Sequence, residues 1–142
     1  MNPRDFLDLA CLLASGTAKP ANLRTATSRA YYSAHHVAAE ILKSMGLRIS
    51  TGGSGHQDVW HRLQNSGYDD LKIAGSQLAD LHSSRVRADY RLNDGKAENQ
   101  ANVRAHIEQA KKIVEAIEQS CSGPKRQVIL EAIKNWEASI AQ

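Results

Sequence analysis

Little in this chain points to the commoner catalytic chemistries. Its 142 residues hold two cysteines, three prolines and one phenylalanine, and aromatics make up only 5%. Cys11 and Cys121 stand far apart, without metal-ligand spacing, each inside a helical apolar pattern. They read as two reduced, buried thiols rather than a disulfide framework, and neither offers the partnered, partly exposed thiol a nucleophile needs. CxxC, GxGxxG, HxxxH and a P-loop are all missing. A redox dithiol, a dinucleotide fold, a helical zinc site and a phosphate cradle therefore have no support, and the expectation is no metal and no cofactor. No apolar run approaches the ~18–20 residues that span a bilayer. The apolar stretch near the N-terminus carries Asp5 and Asp8, so it reads as an amphipathic helix and not a signal peptide. These features predict a soluble, cytoplasmic protein with no membrane partner. Strand-like alternation, internal repeats and low-complexity tracts are missing too.

What is present suits one helical domain over residues 1–142. Apolar residues are 42% of the chain, supplied mainly by alanine, leucine and isoleucine. The net charge is +3 and the pI about 9.0, which permits an anionic ligand without demanding one. Asn2 as cap and Pro3 at the first helical position open a helix that runs to about Ser15, where Gly16 ends it. Lys19-Pro20 begins the longest helix, with Leu23, Ala26, Ala30, Ala34, Val37 and Ile41 on its stripe and Gly46 at its end. A glycine-rich loop over 47–55 leads to a short helix, with Ser54 and Gln57 as its capping box, through Val59, Trp60 and Leu63. A long helix follows from about Asp69 to Leu92, then the turn Asn93-Asp94-Gly95 and a helix carrying Val103, Ile107, Ala110, Val114, Ile117 and Cys121. Pro124 opens a last amphipathic helix with Ile129, Ile133, Trp136 and Ile140. The pattern predicts an all-α, up-and-down antiparallel bundle of about five to six helices. The apolar face of the last helix needs a partner, which argues for a homodimer.

Two polar clusters interrupt the apolar stripes: Ser28 to His36 on the long second helix, and Ser83 to Tyr90 on the 69–92 helix. Such residues are costly near a helix-packing surface unless paired or used, so the two clusters are expected to share one cleft. On the first, Arg29, Ser33, His36 and Glu40 are spaced four, three, four and share a face beside the stripe. His35 points away from Arg29, so the helical wheel selects His36 as its partner. On the second, Arg85 occupies a slot of the apolar register, flanked on the same face by His82 and Asp89. Asp89 is its nearest partner, and the pair either fixes helix packing or presents the guanidinium to an anion. Arg87 and Arg91 lie on a more exposed face, suited to a phosphate backbone. Tyr31, Tyr32 and Tyr90 read as core-edge residues. His56 opens a helix after the glycine-rich loop, where either solvent or an anion is its partner. His61 and His106 read as surface residues.

These residues resemble the HEPN family, nucleotide-binding domains of higher eukaryotes and prokaryotes. The likeness is to the small bacterial branch that carries SRAYYAxFH on one long helix and RxxADY on a later one. Here those are Ser28 to His36 and Arg85 to Tyr90, with His35 in place of the usual aromatic and His36 at the family histidine. Gly55-His56 and the opening NPxDFLxLA add to it, and the similarity covers most of residues 1–120. The resemblance implies a dimerising bundle with a cleft near the dimer axis. It also implies a component of a toxin–antitoxin or defence system that binds or cleaves RNA or nucleotides. Many members are metal-independent endoribonucleases whose signature is an arginine followed by a histidine after four to six residues. In that chemistry histidine moves protons around the ribose 2′-hydroxyl and arginine stabilises charge on the phosphorus. Arg29 and His36, six residues between them, satisfy the spacing and are the candidate catalytic pair. Arg85, Asp89, Tyr90, Tyr32 and His56 are the candidate ligand-binding or cleft residues. The chain departs from many toxin members at the later helix, where Asp89-Tyr90 follow Arg85 and no histidine does. The alternative is a non-catalytic nucleotide-binding or scaffold subunit that docks a minimal nucleotidyltransferase.

Overall fold

The computed structural model describes residues 1–141 and is an up-and-down helical bundle. Its helices are α1 (Arg4–Leu13), α2 (Pro20–Ser44), α3 (Ser54–Gln64), α4 (Asp69–Tyr90), α5 (Gln100–Cys121) and α6 (Arg126–Ile140), with a 3-10 turn at Gly95–Glu98. Among the described residues there is no strand, and no helix is long and apolar enough to cross a membrane. Helix α2 is central and packs on α1, α3, α4 and α5. Ala26, Ala30, Ala34 and Ala38 are fully buried along it. With only a methyl group at each of these positions, neighbouring helices approach closely.

The helix ends follow their local chemistry. Pro3, not Asn2, takes the cap position of α1, although the Asn2 side chain still accepts the Arg4 N–H at 3.0 Å, and Gly16 and Gly46 adopt positive φ just beyond α1 and α2. The capping box expected at Ser54 does not form. Ser54 is already helical, Gly53 takes the cap position, and no side chain caps the end. The Ser50 N–H instead donates to Asp58 Oδ2 at 2.8 Å, folding the glycine-rich loop back on α3. A Cβ at Gly55 would lie 2.2 Å from the Ser50 carbonyl oxygen, so this fold-back requires glycine there. Gly75 similarly lets α4 approach α3, because a Cβ would meet the Trp60 carbonyl at 2.9 Å.

Several expectations are corrected. Helix α4 stops at Tyr90, and Leu92, assigned to its apolar register, is 71% exposed beyond the end. Cys11 is exposed and only Cys121 is buried, its thiol pushed up by burial. His106 is half-buried, with Nδ1 3.1 Å from Thr27 Oγ1, and burial lowers its pKa. On α6, Ile129 and Ile133 are buried within the chain, so that face needs no second copy, while Ile140 is exposed. The α6 helix begins two residues after Pro124, tied to the bundle by Arg126, which donates to the Cys121 and Ser44 carbonyls.

Arg24 was not anticipated as a core residue. It is buried on α2 and binds the C-terminal end of α4. Its guanidinium donates to the carbonyls of Arg87, Ala88, Arg91, Leu92 and Asp94 and to Glu98 Oε2 at 2.8 Å. Helix C-termini leave carbonyls without intrahelical partners, and one arginine gathers the Ala88 carbonyl and those of the turn just beyond α4.

Candidate functional site

Three helices build the site around Tyr31, which is fully buried on α2. The close approach of α3 to α4 at Gly75 sets His56 beside His82, with ring centroids 4.8 Å apart. His35, one turn after Tyr31 on α2, lies 4.7 Å from His56 and stacks on Tyr31 at 5.7 Å. His82 also packs on Tyr31 and Trp60, at 5.2 Å each. Tyr31 Oη lies 2.6 Å from His56 Nδ1 and 3.5 Å from His35 Nδ1.

Arg85 lies over this aromatic floor, its guanidinium carbon 5.8 Å from the Tyr31 centroid and 5.3 Å from that of Tyr32. It is buried yet poorly partnered. One nitrogen reaches Asp89 Oδ2 at 3.3 Å and another His82 Nε2 at 3.4 Å, while the buried Nε has no partner. Asp89 is itself shared, accepting from Ser28 Oγ at 3.2 Å. Arg29 donates to the same Ser28 hydroxyl at 3.4 Å. A polar chain therefore links the two sequence clusters, from Arg29 through Ser28 and Asp89 to Arg85.

Arg29 stacks 4.6 Å over Phe6 and 5.1 Å over Tyr32, so Tyr32 carries both guanidiniums on its ring. His36 is exposed and stacks on Tyr32 at 5.8 Å, with Phe6 at 6.3 Å. Arg29 and His36 thus share the Phe6–Tyr32 surface, as the wheel implied. Ser33, expected on that same polar face, is fully buried with its hydroxyl unpartnered. Tyr90 does not join the site: it is the last residue of α4 and 73% exposed, neither core-edge nor cleft-lining. Tyr31, by contrast, is fully core. His56 is half-buried in the cluster and not a solvated loop residue.

The imidazoles are held neutral. Burial, followed by the neighbouring histidines, lowers His35 to about 3. Burial, His56 and Arg85 lower His82 to about 4. His56 is lowered by burial, then by Arg85 and His36. His36 is lowered by burial, with Glu40 opposing and Lys43 and Arg29 adding to the effect. Burial raises the Tyr31 hydroxyl well above the ordinary phenol range, so it keeps its proton. With the imidazoles neutral, Arg29 and Arg85 supply the positive charge at the centre of the site.

Among the described residues, no group of histidine, cysteine, aspartate and glutamate side chains is arranged to hold a metal ion. The His35, His56 and His82 rings pack tilted against one another, and Tyr31 and Arg85 already engage a nitrogen of His56 and of His82. A cavity of about 390 Å³ beside the cluster is lined by His82, Ser83, Val86, Arg87 and Arg91. It continues the site along the outer face of α4, where Arg87 and Arg91 add positive charge.

Sequence reasoning missed Arg24, and it set His35 aside because it points away from Arg29. A signal for both exists: Arg24, Ser28, Tyr31 and His35 are spaced four, three, four, a second polar face on α2 turned toward α4 and α3. His82 was placed beside Arg85, but its contact with a histidine of another helix depends on packing. Compared with protein-family models, curated proteins and solved structures, the chain finds no match in any of the three.

Proposed function

We propose that this chain is a HEPN-like protein that binds RNA through a phosphate set against Arg85 and Arg29. In this reading it cleaves that RNA without metal, as one component of a toxin–antitoxin or defence pair. The observation that carries the reading is the buried Arg85 guanidinium, which lies on tyrosine faces with an unpartnered Nε and long bonds to its neighbours. A buried cation so incompletely paired is costly unless an anion completes it. His36, exposed next to Arg29, is the candidate base for a ribose 2′-hydroxyl, since it is neutral near pH 7. Exposed Leu9 and Leu12 on α1 leave apolar surface for a second copy, and a light-scattering mass of twice 15.6 kDa is expected.

One observation favours the alternative, a nucleotide-binding or scaffold subunit that docks a nucleotidyltransferase. Every histidine of the cluster is pushed below its ordinary range, so an imidazolium acid for the leaving oxygen is scarce at neutral pH. The test is incubation of labelled single-stranded RNA with the full chain in excess chelator. Cleavage by wild type that is lost in Arg85→Met and His36→Ala supports the nuclease reading. Binding without cleavage moves the function to the accessory subunit, and no binding overturns the RNA-binding reading.

A further inference from the structure

We propose that the Tyr31 hydroxyl fixes His56 in the tautomer protonated at Nε2, making His56 a neutral hydrogen-bond donor to the bound phosphate and not the proton-accepting base. The inference rests on the RNA-binding reading for its ligand, but its first link is independent of that reading.

The link is the 2.6 Å separation between Tyr31 Oη and His56 Nδ1. Tyr31 keeps its single proton, and of the two imidazole nitrogens within reach His56 Nδ1 at 2.6 Å is far nearer than His35 Nδ1 at 3.5 Å, so it is the acceptor we assign. Tyr31 therefore donates and Nδ1 accepts. A neutral imidazole that accepts at one nitrogen carries its proton on the other. The groups around the ring agree. Tyr31 is fully buried and keeps its proton, having one to give. His35, 3.5 Å from the same oxygen, is neutral, so Nδ1–H of His35 is free to donate to the lone pair that Tyr31 retains. His82 accepts from Arg85 at Nε2, which places its own proton on Nδ1. The facing groups are thus Tyr32, His35 and His36 on α2, and His82 and Arg85 on α4, with Tyr31 between them. None supplies His56 with a carboxylate that would favour an imidazolium.

His56 Nε2–H is then a donor open to solvent, beside an Arg85 guanidinium whose buried Nε has no partner. A phosphate oxygen at the open edge of the cluster can accept from His56 Nε2–H while Arg85 supplies the charge, without any proton changing hands. This arrangement is an oxyanion site, in which a neutral imidazole adds a fixed dipole to the arginine charge. The role of base then falls to His36, on the far side of Tyr32. Tyr31 is a positioning residue that acts through His56.

The test uses the full chain labelled with nitrogen-15 and reads imidazole tautomers from long-range proton–nitrogen correlations at pH 7. The expected result is His56 as the Nε2–H tautomer in wild type, with a mixture of tautomers in Tyr31→Phe. An Nδ1–H tautomer or an imidazolium in wild type, or no change in Tyr31→Phe, overturns the proposal. The second measurement is affinity for a 2′-O-methylated single-stranded RNA oligonucleotide, which cannot be cleaved. His56→Gln, whose amide N–H reproduces Nε2–H, should bind within about threefold of wild type. His56→Asn, which reproduces the other nitrogen, should bind about tenfold more weakly. Affinity that rises on acidification from pH 8 to 6 points to an imidazolium and overturns the donor role, as does equal loss in both variants. If wild type binds no RNA, the RNA reading fails together with the donor role while the tautomer result still stands. Binding with the wrong tautomer sinks the inference alone. The glutamine and asparagine pair keeps the test decisive if Tyr31→Phe fails to fold.

Discussion

Arg24 and Arg85 are each 8% exposed, one on α2 and one on α4, and both are buried beside the same pair of helices. Their surroundings differ in kind. Arg24 spends its donors on five backbone carbonyls and the Glu98 carboxylate, at 2.8–3.3 Å. Arg85 has one carboxylate at 3.3 Å, one imidazole at 3.4 Å and an empty Nε. A buried guanidinium with its donors satisfied locks an architecture, whereas one left short of acceptors carries an unmet cost, which the proposed reading assigns to a bound phosphate. The lesson lies in the acceptors, since burial and residue type are the same.

The largest effect should come from the satisfied arginine. Arg24→Met strands the carbonyls at the end of α4 and leaves Glu98 without its cation. It should cost on the order of 3–5 kcal/mol, which is roughly a 10–15 °C fall in a thermal melt at this chain length. A melt within two or three degrees of wild type would erase the distinction between the two sites.

Acid should act next, and chiefly on the imidazole cluster. His35 and His82 stay neutral in the folded chain down to about 3 and about 4. In the unfolded chain they take protons at about 6.5. Their folded values are depressed, so the unfolded state binds more protons in this window. Stability is full above pH 6.5 and falls as the pH drops toward 4. The expected outcome is a melting temperature several degrees lower at about pH 4.5 than at pH 7, with a shallower dependence in His35→Gln with His82→Gln. An identical pH slope in that double variant would contradict the assignment.

A smaller change is expected at Arg85. The Asp89 side chain remains 30% exposed, so water takes over when the arginine leaves. Arg85→Met should cost about 1–2 kcal/mol, and adding Asp89→Leu should recover most of it without restoring RNA binding. The smallest effect is expected at Tyr90, which touches neither site. Tyr90→Ser should alter stability by no more than about 0.5 kcal/mol and leave RNA affinity unchanged.

Much of this was legible before the structure. Apolar spacing and the Gly and Pro punctuation placed all six helices, because each buries a periodic face. Arg85 stood out because it interrupts such a face, and its pairing with His82 and Asp89 is local to one helix. The contacts that turn these residues into a site are between helices. His56 meets His82 because glycine at 75 lets α3 and α4 close up, and Tyr31 meets His56 because alanines line α2. Arg24 was hidden for the opposite reason. Its acceptors are backbone carbonyls freed where α4 ends, and no side-chain pattern announces a carbonyl. Tyr90 shows the converse error: it belongs to a recognisable run, but α4 stops there and the ring turns outward.

The most direct measurement is a titration of Arg85→Met with a short single-stranded RNA, alongside its thermal melt. An under-partnered arginine held for a phosphate predicts at least about a tenfold loss of affinity with a melting temperature within about 5 °C of wild type. Unchanged affinity, or a loss of stability as large as that of Arg24→Met, would show that Arg85 is a second architectural arginine and contradict the account.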